Sequence, residues 1–230
     1  YSGMIAEGEY VYQFESEFAG SFGLPIAIAT SSGSAALHIA LILSEISNGD
    51  EVITTSMTAE PTNMVILQSG AKPVFADIGC QTGNLDPDSV ESLISERTKA
   101  IVVVHYAGFP ANLNSLRFLA DKYGIVLIED CAHALGATYN GKNIGTFGDY
   151  AIFSFQAIKH MTTVDGGVLT MRDLSKAKKA RRVRWFGLQK GVPRSKLDVS
   201  HIGFKYNMNN VSAVIGLSQL ENIHQLIQKH

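Results

Sequence analysis

Three short stretches of the sequence hold residue types able to do chemistry. The first, Thr30-Ser31-Ser32-Gly33-Ser34-Ala35-Ala36, sets small hydroxyl residues and glycine ahead of an Ala/Leu-rich run. A helix opening there leaves backbone N–H groups unpaired at its positive end, which suits a phosphate. An ordinary Ser N-cap accounts for the same residues. The spacing matches neither GxGxxG nor a P-loop, so a dinucleotide or ATP site has no support. The second stretch is Asp130, closing the run IVLIED, with His133 three residues on. A carboxylate at the end of a buried strand needs a cation or hydrogen-bond donors to meet it, and a helix N-cap is one way to supply them. A helix starting at Asp130 would put His133 on its face, although a lone His also fits a satisfied core residue. The third is Lys159, within FSFQAIKHMTT. A lysine among apolar and aromatic neighbours after a strand is a candidate for a depressed pKa and nucleophilic amine chemistry, while a side chain snorkelling to water fits as well. His105 and His160 are scattered among the histidines without HxxxH or HExxH spacing, so no metal is expected.

These positions need elements to hold them. Apolar runs predict strands at Glu51 to Thr55, Pro73 to Ala76, Ala100 to Val104, Ile125 to Glu129, Asp149 to Ser154 and Gly167 to Met171. Helices are expected at Ser34 to Leu43, Thr62 to Ser69, Asp86 to Ser95, Leu113 to Tyr123 and, as one long closing element, Met208 to about Gln228. Gly191 to Val199 reads as an exposed loop. Near-continuous apolar strands alternating with helices imply an α/β fold, a mainly parallel sheet covered on both faces. Ligands of such sheets sit beyond the carboxyl ends of the strands, where the SSGS turn, Asp130 and the loop after Phe153 all fall.

Composition narrows the field. The 230 residues carry 19 Lys plus Arg against 21 Asp plus Glu, a formal charge of −2, without the basic excess of a nucleic-acid binder. No apolar run is long enough to span a membrane. Cys80 and Cys131 lack CxxC spacing, which favours a reducing, cytoplasmic setting.

A phosphate-binding turn, a buried carboxylate and a buried lysine along one sheet edge form the set that pyridoxal 5′-phosphate (PLP) needs. Four stretches carry a closer likeness: SSGSAALHIAL (31–41), SGAKPVFADI (69–78), IEDCAHALGATYNGKNIGTFGDYAIFSFQAIKHMTTVDGG (128–167) and GFKYNMNNVSAVIGLSQLENI (203–223). In these, in their order and spacing, the chain resembles the DegT/DnrJ/EryC1/StrS family of PLP-dependent sugar aminotransferases. The resemblance implies a three-layer α/β/α fold, with residues 1–230 as the PLP-binding large domain of a fold type I transferase and the smaller C-terminal domain missing or truncated. It implies that Lys159 carries the cofactor, that Asp130 faces the pyridine nitrogen and His133 lies beside the ring. Gly33, Ser34 and Ser154 would hold the phosphate. Lys205, in GFKY, would reach across a homodimer interface toward the neighbour's cofactor, with Asn209 nearby. The reaction implied moves an amino group from an amino acid, glutamate by family habit, to a nucleotide-linked keto sugar.

The chain departs from the family pattern in two places. Val164 stands in TTVDGG where glycine is common, and Ser56 to Thr62 holds no aromatic residue to stack on the cofactor, Ala59 being the best match to that position. Two alternatives stand beside the aminotransferase: a catalytically incompetent PLP-binding module, suggested by the chain's shortness, and a PLP-dependent sugar dehydratase, suggested by His160 one residue from the lysine.

Overall fold

The computed structural model describes residues 3–229. Strands β1 (Ile28–Thr30), β2 (Glu51–Thr54), β3 (Lys72–Phe75), β4 (Thr98–Val104), β5 (Val126–Asp130), β8 (Tyr150–Ser154) and β9 (Gly167–Met171) form one sheet. A two-stranded hairpin, β6 (Thr138–Tyr139) and β7 (Lys142–Asn143), stands apart from it. The sheet order is β1-β9-β8-β5-β4-β2-β3. Every neighbouring pair from β8 to β3 is parallel, and β9 alone runs against its neighbours β8 and β1. The mainly parallel α/β sheet expected from the apolar runs is therefore present.

Apart from the outer strand β3, its strands are largely buried on both faces and read as near-continuous apolar runs, yet the period of two still decides which face each residue serves. Ala29, Ile53, Ile101, Val103, Leu127, Ala151 and Phe153 join the core beneath α1 (Glu9–Phe22), α4 (Pro87–Leu93), α5 (Leu113–Tyr123), α7 (Asn210–Leu220) and α8 (Ile223–Ile227). Ile28, Val52, Ala100, Val102, Ile128, Tyr150 and Ile152 join the core beneath α2 (Gly33–Leu43), α3 (Glu60–Gln68) and α6 (Ala177–Val183). The result is three layers.

Helix α1 was not among the expected elements, although its signal is plain in retrospect. Val11, Phe14, Phe18 and Phe22 fall on one helical face and all are buried. Phe14 meets Phe155 edge-on at 5.7 Å and Phe18 meets Phe153 at 5.4 Å, so the helix packs on the strand that leads to Lys159. The expected long closing helix is a correction: it is two helices, α7 and α8, parted at Glu221–Asn222. Asn222 leaves helical geometry at φ −120°. The break turns the fully buried Ile223 into the core.

Charge is buried where α1 meets the sheet. Arg184 donates to Glu15 at 2.6 Å, to the Ala29 carbonyl at 2.7 Å and to Glu7 at 2.5 Å. Glu15 also accepts from the Ala29 N–H, and Glu7 from Lys190. One guanidinium thus ties the N-terminal segment, β1 and the end of α6 together. Arg184→Met should lower the unfolding free energy by about 3–5 kcal/mol, because it takes the buried cation from two interior carboxylates and leaves Glu7 only Lys190, and Glu15 only Arg181, as ion-pair partners, both of them part-exposed. Urea denaturation at pH 7 checks it, and a loss under 1 kcal/mol would remove the network from the account.

Candidate active site

A cavity of about 460 Å³ opens where the parallel strands end. Its wall includes Ser32, Gly33 and Ser34 after β1, Ser56 to Ala59 after β2, Val104 and Tyr106 at the end of β4, Asp130 at the end of β5, and Ser154 at the end of β8. His133 and Lys159 also line it. Of the sequence-nominated residues, Gly33, Ser34, Asp130, His133, Ser154 and Lys159 therefore share one space. Lys205 does not.

The turn before α2 is built for close approach. Ser32 caps the helix, its side chain accepting from the Ala35 N–H at 3.0 Å, so the capping reading of SSGS holds. The N–H groups of Gly33 and Ser34 precede any helical acceptor and belong to the cavity wall. Gly167, paired with Ser154 and Thr30 in the sheet, packs directly under this turn, where a Cβ would come within 2.5 Å of the Ser32 carbonyl.

Asp130 is buried and held from two sides. Its Oδ1 accepts from the Ala132 N–H at 3.1 Å and its Oδ2 from the Thr62 hydroxyl at 2.9 Å. Because Thr62 spends its proton on Asp130, it accepts from Thr58 at 3.1 Å, which makes a directed chain Thr58 to Thr62 to Asp130. The sequence marks neither threonine, since Thr62 lies sixty-eight residues from Asp130 and Thr58 acts only through Thr62. No helix follows Asp130. The chain turns tightly instead, with Ala134 N–H on the Cys131 carbonyl, and His133 reaches the cavity from that turn.

Lys159 sits in a tight turn, its N–H donating to the Gln156 carbonyl at 2.9 Å. Desolvation pulls its amine below the ordinary lysine value, and Asp130 opposes that pull. Desolvation also holds the His133 imidazole below its ordinary value; the Lys159 ammonium adds to this, Asp130 opposes it, and His160 adds a smaller push. Lys159 lines the cavity and His160 is not among its lining residues.

On the other side of β5, His105, Glu129 and Cys131 bring three potential ligand atoms within 4.8 Å of one another. The donors and acceptors of His105 and Glu129 are already committed. Glu129 accepts from the N–H groups of Gly145, Phe147 and Gly148 and faces His105 Nε2 at 3.2 Å. His105 Nδ1 accepts from the Ala111 N–H, which places the ring proton on Nε2. Burial, then the charges of Glu129 and Asp130, push the Cys131 thiol well above its usual range, so it remains a proton-bearing core residue. The trio holds framework loops.

Lys205, expected to serve a partner's cavity, also has contacts within its own chain. It is exposed, donates to Asn207 at 3.0 Å and lies 4.4 Å from the centre of the Trp185 ring. Asn209 caps α7 by accepting from the Ser212 N–H. The wall from Ser56 to Thr62 holds no ring, as read from the sequence; Met57, Thr58, Ala59 and Pro61 line the cavity there.

The architecture is that of fold type I aminotransferases. A family model for the DegT/DnrJ/EryC1/StrS aminotransferase family matches residues 1–230, and the chain belongs to that family. MJ1066 of Methanocaldococcus jannaschii is 40% identical over 227 residues, covering 96% of this chain and 59% of the relative. Spr1654 of Streptococcus pneumoniae, in its PLP form, superposes with a TM-score of 0.93 at 31% identity, over 99% of this chain and 62% of that one. PseC of Helicobacter pylori, an aminotransferase involved in the biosynthesis of pseudoaminic acid, does so with a TM-score of 0.93 at 34% identity, again over 99% and 62%. The chain thus spans about three fifths of the length of these relatives.

Two measurements check the site. Thr62→Val keeps the side-chain shape but removes the donor to Asp130, and should cost about 1.5–3 kcal/mol of stability, the usual worth of a hydrogen bond to a charged group. Equal denaturation midpoints for the variant and the parent would contradict it. In an NMR titration, the His133 midpoint should move up in Lys159→Met, which removes a depressing cation, and down in Asp130→Asn, which removes a supporting anion. Shifts in the opposite directions would mean the three groups do not face one another.

Proposed function

We propose that residues 1–230 form a PLP-binding domain that transfers an amino group from an amino acid, glutamate being the expected donor, to a nucleotide-linked keto sugar. The observation that carries this reading is the meeting of Lys159, Asp130 and the α2 N-terminus in one cavity of a chain of this family. The residues fit the cofactor by their chemistry. Asp130 has two oxygens, each taking one hydrogen bond, which leaves acceptor capacity for a ring N–H. Gly33 and Ser34 offer N–H groups at a positive helix end, and Ser154 adds a hydroxyl, a set suited to a phosphate. Spr1654 has been solved in PLP and PMP forms.

When bound, PLP supplies an electron sink for the carbanion formed at the substrate carbon. Asp130 would face the ring nitrogen and favour its protonated form. Lys159 would hold the cofactor, and its amine would serve as general base and acid for the substrate proton. Its depressed pKa keeps more of the amine neutral at working pH, which favours nucleophilic attack. His133 stands at the wall and would help orient the ring. A homodimer in which Lys205 serves the neighbouring cavity, and a cytoplasmic setting, belong to this proposal. No helix among the described residues is long and apolar enough to cross a membrane.

Borohydride reduction of the protein mixed with PLP, followed by peptide mapping, should label Lys159, and Lys159→Ala should carry no label. Glutamate should convert the visible spectrum of the bound cofactor to that of the amine form. Removing the proton-shuttling amine should slow that conversion by about 10²–10⁴-fold. A label elsewhere, or none, would overturn the assignment. A correct label with no response to glutamate would leave the binding-module alternative in its place.

A further inference from the structure

The segment that carries Lys159 is a closed loop with a strained exit. Phe155 and Gly166 join at its neck, Phe155 N–H donating to the Gly166 carbonyl at 2.9 Å. The Phe155 carbonyl accepts in turn from the Thr163 N–H at 3.0 Å and from the Thr162 hydroxyl at 3.1 Å. The next residue, Val164, has φ +70°. A β-branched residue in the left-handed region is a genuine outlier, held there only when its surroundings over-determine it. Val164 is 62% exposed, so burial of its own side chain is not what holds it.

Helix α7 supplies the holding contacts. Gln219 reaches over with its Oε1 to accept from the Thr162 N–H at 2.8 Å. Thr162 relays this, its hydroxyl accepting from the Val164 N–H at 2.9 Å. One turn before Gln219, Gly216 lies against the same loop, where a Cβ would meet the Thr163 methyl at 3.0 Å and the Phe14 ring at 2.7 Å. The loop is thus held on the side away from the cavity by a helix that contributes nothing to the cavity wall.

We propose that Gln219 is a positioning residue for Lys159: its side-chain carbonyl clamps the 155–166 loop and offsets the backbone strain at Val164, fixing the place of the amine in the cavity. The clamp rests on the reading of Lys159 given above, but its test is arranged to stand without the cofactor.

The test uses the full chain without PLP and three variants, Gln219→Met, Gln219→Glu and Gln219→Met/Val164→Gly. Hydrogen exchange of the Thr162 amide should quicken at least about tenfold in Gln219→Met and stay near the parent in Gln219→Glu, which keeps the acceptor. Competitive acetylation should show the Lys159 midpoint rising toward that of an exposed lysine in Gln219→Met, as the amine loses its desolvated position. The added Val164→Gly, which removes the strain, should restore both readings in large part, a coupling that independent sites would not show. Unchanged exchange in Gln219→Met overturns the clamp. Faster exchange with an unmoved Lys159 midpoint overturns the positioning role and leaves a structural bond. A double variant no better than the single overturns the link to Val164. If Gln219→Met does not fold, folding of the double variant supports the proposal and its failure overturns it. Borohydride trapping with PLP on the parent judges the cofactor reading separately, since exchange and acetylation are read in its absence.

Discussion

Two adjacent buried carboxylates at the end of β5, Glu129 and Asp130, set the terms for the site. Successive strand residues point to opposite faces, so the two charges cannot share partners. Glu129 resolves its burial by gathering three backbone N–H groups and His105, which fixes the loop leading into β8. Asp130 resolves its burial only in part, with one hydroxyl and one backbone N–H. On the proposed reading the difference is functional. The saturated carboxylate builds the framework, and the partly satisfied one, opening on a cavity beside an amine, retains the capacity to meet a cation.

The same division between holding and acting runs through the elements around the cavity. The strands deliver Thr30, Thr54, Val104, Asp130 and Ser154 to one edge, because parallel strands share their carboxyl ends. The packing behind them keeps the edge in register: the Phe14 and Phe18 rings brace Phe153 and Phe155, and Arg184 pins α1 to β1. Lys159 is set apart, since it rides on a loop rather than a strand. A loop gains its precision from outside contacts, and α7 is where those contacts originate.

Much of this was legible in the sequence. The apolar runs marked six of the seven strands of the main sheet, and the chemistry of Ser34, Asp130 and Lys159 pointed to one edge before the edge was seen. What escaped had physical reasons. Strand β1 is three residues long, too short for a period to show. Helix α1 was legible by its spacing, but its four apolar anchors sit among acidic and polar residues that dilute a local average. The break at Asn222 depends on which core Ile223 enters, a tertiary fact. Thr62 and Gln219 act across 68 and 57 residues of chain, and hydrogen bonds of that span have no sequence signature. The role of Lys205 toward a partner subunit comes from resemblance and stays a proposal; within its own chain it meets Asn207 and the Trp185 ring.

The outer strand β3 has a quieter consequence. Lys72 and Ala76 turn their N–H groups inward, onto the carbonyls of Asp50 and Thr54. By alternation, the amide of Pro73 is one that would face out, and proline has no hydrogen to offer there. An approaching chain seeking to extend the sheet would therefore meet a missing donor beside the lysine ammonium of Lys72. That margin of the molecule is defended against templated aggregation by two neighbouring residues, at no expense to the pairing within.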